Sequence, residues 1–226
     1  MAEDLQQLRE IVPDPARQQK AREYSRLLRR GSFIELGIGG ILLLVLLFTP
    51  ASTTLASLLA FPFPVSAVLY LLTLAAGYGL IMAPLSYYYG FVLPHRYGLS
   101  TQALADWFKD RVKASGLGLL LGLGLVIIVY WLIGHLPTLW WLAAALIMFL
   151  VSLILTWLTP TFLIPLFYKL KPLEEGEFKE KLVNLAKRAG VDIAECLTMN
   201  LSSKATTANA MVSGWGKSRR IIFTDT

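Results

Sequence analysis

Residues 114–168 decide the fold of this chain. Their sequence is ASGLGLLLGLGLVIIVYWLIGHLPTLWWLAAALIMFLVSLILTWLTPTFLIPLFY, which contains no Asp, Glu, Lys or Arg. A helix needs about 20 consecutive apolar residues to cross the hydrocarbon core of a bilayer. The stretch is long enough for two such helices with a short uncharged turn between them. It therefore predicts two membrane spans, at residues 114–133 and 140–167.

A second uncharged tract lies upstream, between Arg30 and Arg96. Glu35 is the only carboxylate in it, and it contains no Lys or Arg. The tract predicts two further spans, at residues 32–48 and 65–90. An ionisable residue inside a span is a functional candidate by default. Because Glu35 lies near the basic end of its span, we expect it to pair with Arg29 or Arg30.

The composition agrees with a membrane protein. Of 226 residues, 55% are hydrophobic and 16% are charged, against about 45–50% and about 25% in soluble domains. We predict an α-helical polytopic membrane protein with four transmembrane helices and a small cytoplasmic α+β part. The expected domains are a basic juxtamembrane helix (1–31), a four-span membrane domain (32–168) and a cytoplasmic segment (169–226). The basic segments 16–30 and 100–113 are expected to lie along the headgroups.

The distribution of Lys and Arg predicts the orientation. Seven lie before the first span, four in the middle loop (residues 91–113) and ten from Lys169 onward, whereas the two remaining connections have none. The positive-inside rule places both termini and the middle loop in the cytoplasm, in a bacterial inner membrane or a eukaryotic ER-type membrane. The net charge of +6 follows from this distribution, so no nucleic-acid partner is expected. A single cysteine, Cys196, excludes an internal disulfide.

The segment from Lys169 has ordinary soluble composition. Residues 174–189 are predicted to form an amphipathic helix that Gly190 ends. Residues 196–201 are a candidate strand, and residues 209–215 and 220–224 a β-hairpin around Gly216, Lys217 and Ser218. One helix and three strands bury little apolar area and are marginal alone. The segment is therefore predicted to be an incomplete domain.

Other polar residues are predicted to have structural roles. Ser203 and Lys204 are adjacent, which does not suit a serine–lysine dyad, and a solvated polar loop is favoured. Asp106 and Asp110 are expected to form exposed salt bridges. Cys196, in a strand pattern without a nearby His, is expected to pack in the interior.

Three segments carry motifs of a known family. They are LSYYYGFVLPHRYGLSTQALADWFKDRVKA in the middle loop, PTFLIPLFYKLKPLEEGEFKEKLVNLAKRAG after the last span, and the tail ATTANAMVSGWGKSRRIIFTDT. Together they resemble the type I CAAX prenyl proteases, integral-membrane zinc metallopeptidases that are distantly HtpX-like. The likeness has exceptions: Tyr168 stands where Asn is usual, Thr207 and Ala208 replace a Ser- or His-Ser pair, and Met211 replaces an aromatic residue.

The resemblance implies a zinc site that these residues do not contain. In that family a helix with H-E-x-x-H follows the hairpin, and its two His bind Zn²⁺ while the Glu activates water. This chain has no such motif, and His95 and His135 are its only histidines. The resemblance therefore implies Zn²⁺ as cofactor with ligands beyond Thr226, and no catalytic or metal-binding residue is predicted within the chain.

The resemblance also implies a substrate-binding role for Asn209 and Ala210, which match the Asn-Ala of the family's hairpin. In such peptidases, a strand at the rim of the cleft pairs with an extended substrate. An ordinary core hairpin is an equally open interpretation. The implied fold is half of a zincin-like protease domain, joined to spans that enclose a chamber for the substrate.

Two functions from different classes follow. The first is the membrane-embedded N-terminal portion of a zinc metalloendopeptidase of CAAX prenyl protease type, which hydrolyses peptide bonds of membrane-associated or prenylated-like substrates. The second is a non-catalytic membrane scaffold or peptide-binding protein derived from the same fold. The expected partners are the lipid bilayer, a peptide or protein substrate and a C-terminal catalytic fragment.

Overall fold

The computed structural model describes residues 14–214 and 219–226. Contacts between residues divide the chain into two compact units, which meet in sequence between Tyr97 and Gly98. The first unit is helical. The second contains further long helices and one small β-sheet.

The first unit consists of one long helix, a short helix, a second long helix and a final short helix. The long helix begins at Pro15, whose ring suits the first helical position, and the carboxylate of Asp14 accepts the Ala16 N–H at 3.0 Å. A π-helical turn at Tyr88–Val92 follows the third helix. The helices are α1 (Pro15–Phe48), α2 (Ala51–Leu58), α3 (Val65–Tyr87) and α4 (Leu93–Arg96).

A glycine of α1, Gly31, packs closely against the ring of Tyr89. Gly31 is buried in α1, and a Cβ atom at this position would lie 2.7 Å from the ring of Tyr89. The rings of Tyr24 and Tyr97 form a second contact, with centroids 5.2 Å apart. The absence of a side chain at Gly31 therefore lets the aromatic segment after α3 approach α1.

The second unit begins with a loop and two long helices. These are α5 (Leu104–His135) and α6 (Trp140–Leu158), and α6 continues through a π-helical turn (Thr159–Leu163) into α7 (Ile164–Phe167). In the described residues, four helical segments are long and apolar enough to span a membrane, which confirms the predicted polytopic fold. They are Pro15–Phe48, Val65–Arg96, Leu104–His135 and Trp140–Phe167.

The two basic segments differ from the prediction. Residues 16–30 belong to the same helix as the first span, and residues 104–113 to the same helix as the third. A continuous helix has one gently curving axis, so these segments extend along the spans and do not turn to lie flat on the headgroups. The helix α5 begins at Leu104, with Ala103 and not Ser100 at its N-cap position.

Two π-helical turns interrupt the long helices near proline residues. The N–H of Tyr88 contacts the carbonyls of both Pro84 and Leu85, and the turn that follows is π-helical. Pro160 is buried within the second π-helical turn. A π-helical turn accommodates the missing N–H of proline and lets the helix continue.

The second unit ends in a four-stranded sheet in the order β1-β2-β4-β3. β1 pairs with β2 and β3 with β4 in antiparallel fashion, whereas β2 and β4 are parallel. The sequence predicts three of these strands and misses β1, a three-residue strand that contains Pro172. The strands are β1 (Leu170–Pro172), β2 (Glu195–Met199), β3 (Ala210–Ser213) and β4 (Arg220–Thr224).

The sheet has an apolar core on one face and a helix on the other. Leu197, Met199 and Ile222 are buried together against Ile164 and Tyr168, at the end of the fourth span. On the other face, Phe178 of α8 (Glu177–Arg188) contacts Phe223 with ring centroids 5.6 Å apart. Gly190, at φ 69°, adopts the left-handed conformation of a helix-ending residue, as predicted.

Candidate functional site

The hairpin strand β3, which carries the predicted substrate-binding residues, lies at one edge of the described sheet. Asn209 comes directly before it and is bound at three points. Its carbonyl accepts the Thr224 N–H at 3.0 Å, its N–H donates to Thr224 Oγ1 at 2.8 Å, and its side-chain Oδ1 accepts the Ala210 N–H at 2.8 Å. Asn209 and Ala210 are both exposed.

The register shows which backbone groups of β3 face away from β4. Ala210 pairs with Phe223, and Val212 with Ile221. In an antiparallel ladder, hydrogen-bonded and non-hydrogen-bonded pairs alternate. Because Asn209 bonds Thr224, the backbone groups of Ala210 and Val212 point to the outer edge. The side chain of Val212 is 60% exposed, so the outer edge of β3 offers backbone groups for another strand.

The loop before β3 is held by the start of the middle loop. Thr206 donates its N–H to the Leu99 carbonyl at 3.3 Å and its hydroxyl to the Gly98 carbonyl at 2.9 Å. Ser100 pairs with Ala205 as an isolated bridge. The edge strand is therefore connected, through its loop, to the residues that lead into α5.

Lys204 is the centre of a polar junction within this unit. Its Nζ lies 2.5 Å from Asp110 Oδ2, donates to the Phe167 carbonyl at 2.6 Å, and lies 4.5 Å from the centre of the Tyr168 ring. Gln102 also donates to Asp110, at 2.6 Å. The side chains of Lys204 and Asp110 are only 18% and 23% exposed, so this ion pair lies largely out of solvent.

This junction corrects two sequence-based interpretations. Lys204 was expected in a solvated loop and Asp110 on an exposed helix face, but they form a partly buried pair that joins the loop before β3 to α5. Burial and the nearby Asp110 raise the pKa of the Tyr168 hydroxyl. Two residues separated by 94 positions give no periodic signal, so the sequence could not reveal the pair.

A second link fixes the loop from its other end. The carboxylate of Asp225 accepts the Ser202 N–H at 2.7 Å and the Ser202 hydroxyl at 2.6 Å. These two donors lower the pKa of Asp225. The loop between β2 and β3 is thus tied both to the end of β4 and, through Lys204, to α5.

The first unit contains a separate cleft of about 800 Å³ between α1 and α3. Glu35, Thr73 and Tyr78 contribute polar groups to it, and glycines form part of its walls. No ion pair joins Glu35 to Arg29 or Arg30 within the described ranges. The predicted pairing is therefore wrong, and Glu35 instead lines the cleft.

The residues present do not fit a zinc site. Among residues 14–214 and 219–226, no group of three or more His, Cys, Asp or Glu side chains is arranged to hold a metal ion. The ring Nδ1 of His95 contacts the Phe91 carbonyl at 2.6 Å, and that of His135 the Trp131 carbonyl at 2.8 Å. Cys196 is buried, which raises the pKa of its thiol.

Several known proteins are similar to this chain in sequence and in fold. Residues 6–169 match the family model described as CAAX prenyl protease N-terminal, five membrane helices. The chain is 33% identical over 147 residues to an uncharacterized metalloprotease, YhfN, of Bacillus subtilis. It is 31% identical over 150 residues to CAAX prenyl protease 1 of Saccharomyces cerevisiae. Each match covers 65% of this chain. The matched region makes up 34% of the Bacillus subtilis protein and 33% of the Saccharomyces cerevisiae protein.

A solved structure has a similar fold over most of the chain. The crystal structure of S. mikatae Ste24p superposes with a TM-score of 0.77 at 26% sequence identity, over 92% of this chain and 51% of the other. The chain therefore spans about a third of the length of these curated relatives and about half of this solved structure. The family description counts five membrane helices, whereas the described residues contain four candidate spans.

Proposed function

The chain belongs to the family of CAAX prenyl protease N-terminal domains, and we propose that it is the membrane-embedded portion of a zinc metalloendopeptidase. In this proposal the outer edge of β3 binds an extended peptide. The substrates are membrane-associated or prenylated-like proteins. The Zn²⁺ ligands and the catalytic groups lie beyond Thr226, and the residues described here bind and orient the peptide.

The proposal rests mainly on the unpaired outer edge of β3 in the described sheet. The backbone groups of Ala210 and Val212 face away from β4 at the edge of the described sheet. An extended peptide added there would form main-chain hydrogen bonds that fix its register. The relatives named above include a metalloprotease and a CAAX prenyl protease, which supports a peptide as the ligand.

Asn209 has a specific role in this proposal. Its Oδ1 accepts the Ala210 N–H, one of the donors that face outward. A substrate carbonyl that binds this N–H must displace the Asn209 amide, which is then free to bond the peptide. We therefore assign Asn209 and Ala210 to substrate binding, and Val212 to the next backbone contact along the edge.

The proposed orientation rests on charge. Both termini and the middle loop are cytoplasmic, because Lys and Arg concentrate in these three segments. The hairpin is then on the cytoplasmic side, where a reducing environment suits the single free Cys196.

The experiment compares two substitutions of Val212 in the full-length protein. Val212→Pro removes the outward N–H without removing a bond to β4, whereas Val212→Thr keeps it. A backbone hydrogen bond contributes about 1 kcal/mol, so Val212→Pro should raise the KM for an extended peptide about fivefold, and Val212→Thr should leave it nearly unchanged. Equal KM values for the two folded variants would contradict binding at this edge.

Zinc content and hydrolysis separate the enzyme from the scaffold alternative. The full-length protein is expected to contain about one zinc per chain and to cleave the peptide, with loss of cleavage after chelation. A protein that binds the peptide at the β3 edge but contains no zinc and cleaves nothing would instead be a peptide-binding scaffold.

A further inference from the structure

A polar pocket of about 480 Å³ lies within the second unit, outside the edge of β3. Its lining includes four lysines and two aspartates, with Pro165 and Leu166 as an apolar wall. This volume is within the range of small-molecule sites, roughly 300–1,000 Å³. We name it the lysine pocket, after Lys109, Lys113, Lys169 and Lys204.

The charges of the lysine pocket are unevenly compensated. Asp110 is neutralised by Lys204, and Asp106 pairs with Lys109 at 3.2 Å. No carboxylate forms an ion pair with Lys113 or Lys169 in the part of the chain that the structure describes. Lys113 makes one long contact, 3.4 Å, to the Leu166 carbonyl. The two uncompensated ammonium groups leave the pocket positive.

The position of these two lysines along the chain identifies their surroundings. Lys113 is the last charged residue before the uncharged stretch 114–168, and Lys169 is the first one after it. That stretch contains the uncharged parts of the third and fourth spans, Leu104–His135 and Trp140–Phe167. Since both lysines line the same pocket, the pocket lies where the two spans leave the hydrocarbon core. Phospholipid phosphates occupy this depth of a bilayer.

We propose that the lysine pocket binds the phosphate headgroup of an anionic phospholipid. Lys113 and Lys169 contact the phosphate, while the exposed Lys109–Asp106 pair adds no net charge. The Lys204–Asp110 pair, which is less exposed, shapes the deeper wall. Pro165 and Leu166 contact the apolar part of the lipid next to the headgroup. Basic pockets between membrane helices are known to bind anionic headgroups.

The test measures lipid binding to the purified, delipidated protein in detergent by native mass spectrometry. The probes are phosphatidylglycerol, phosphatidylcholine and inorganic phosphate. Phosphatidylglycerol should bind at least tenfold more tightly than phosphatidylcholine, and its binding should weaken with added salt. Equal affinity for the two lipids would overturn the proposal. Binding of inorganic phosphate as tight as that of phosphatidylglycerol would identify a free-phosphate site and also overturn it.

Substitutions assign the binding to the pocket. Each of Lys113→Gln and Lys169→Gln should weaken phosphatidylglycerol binding about fivefold, and the double variant about 25-fold.

Lys187→Gln makes the same charge change on α8 and should have no effect. The double variant Lys113→Arg and Lys169→Arg keeps the charge and should bind like the parent, which distinguishes lost charge from poor folding. Unchanged binding by a folded Lys113→Gln, Lys169→Gln double variant would refute the assignment. This readout needs no peptidase activity, so its outcome is independent of the proposed function.

Discussion

At the scale of single residues, Gly31 determines how closely the aromatic segment after α3 approaches α1. A methyl group at Gly31 would lie 2.7 Å from the Tyr89 ring, whereas one at Gly37 of the same helix would meet nothing within 4 Å. Gly31→Ala should therefore lower the free energy of unfolding by about 1 kcal/mol through overpacking. Gly37→Ala should leave it unchanged or raise it by up to about 1 kcal/mol, because alanine favours the helix.

Equilibrium unfolding of the two variants in detergent checks this prediction. A second substitution, Tyr89→Leu, removes the ring that the new methyl group would meet, and it should recover part of the stability lost in Gly31→Ala. Equal effects of Gly31→Ala and Gly37→Ala would show that the contact is not tight.

Asp225 makes the stability of the β2–β3 loop depend on pH. Two hydrogen bonds from Ser202 lower the pKa of Asp225. A carboxyl group with a lowered folded pKa stabilises the folded state fully above its unfolded pKa of about 3.9. That contribution is lost as the pH falls through the lower folded value. The thermal midpoint of the parent should exceed that of Asp225→Asn at pH 6, and the difference should shrink as the pH falls below about 4.

Ser202→Ala provides the matched comparison, because it removes the hydroxyl donor and keeps the N–H donor. Its midpoint should lie between those of the parent and Asp225→Asn at pH 6. A parent-to-Asp225→Asn difference that stays constant between pH 6 and pH 3 would exclude the linkage.

At the scale of elements, the Lys204–Asp110 pair couples the loop before β3 to α5. Both side chains are less than one quarter exposed, so loss of one leaves the other charge poorly solvated. Lys204→Met should destabilise the protein by about 2 kcal/mol, between the values typical of surface and buried pairs. Adding Asp110→Asn should restore part of this loss, because the uncompensated carboxylate is removed.

A double-mutant cycle from unfolding measurements gives the coupling energy. Lys181 and Glu177 provide the control, since they form an exposed pair one helical turn apart on α8, and Lys181→Met should cost less than about 0.5 kcal/mol. Strict additivity of Lys204→Met and Asp110→Asn would show that the pair does not link the two elements.

The elements differ in how far the sequence could predict them. Uncharged length indicates a span directly, so the four long helices and the fold class follow from the sequence. The amphipathic pattern and Gly190 likewise predict α8 and its end. The sequence contains no local signal for the parallel pairing of β2 with β4, because a loop and β3 separate these two strands along the chain. β1 is too short for alternation to be visible, and it pairs through contacts that only the fold creates.

At the scale of the whole molecule, the sequence predicts the kind of site, but it does not predict which residues contact one another there. The match of Asn209 and Ala210 to a family motif pointed to the hairpin, and whether they bind substrate stays a prediction. The Lys204 junction and the lysine pocket depend on residues brought together from the middle loop, the end of the fourth span and the tail. Such contacts arise from tertiary packing, so neither periodicity nor spacing contains them.

The orientation in the membrane is a prediction for the whole chain that single cysteines can test. Cys196 is buried and its pKa is raised by burial, so the native thiol should give little background with a maleimide that cannot cross the membrane. Gln19, Thr138 and Lys187 are exposed and lie in the N-terminal segment, the turn between the third and fourth spans and the tail. The proposed topology predicts labelling of Thr138→Cys in intact cells, and of Gln19→Cys and Lys187→Cys only after lysis. Labelling of Lys187→Cys in intact cells would place the β3 edge outside the cytoplasm. The same result would contradict the conclusion, drawn from the positive-inside rule, that the peptide binds on the cytoplasmic side.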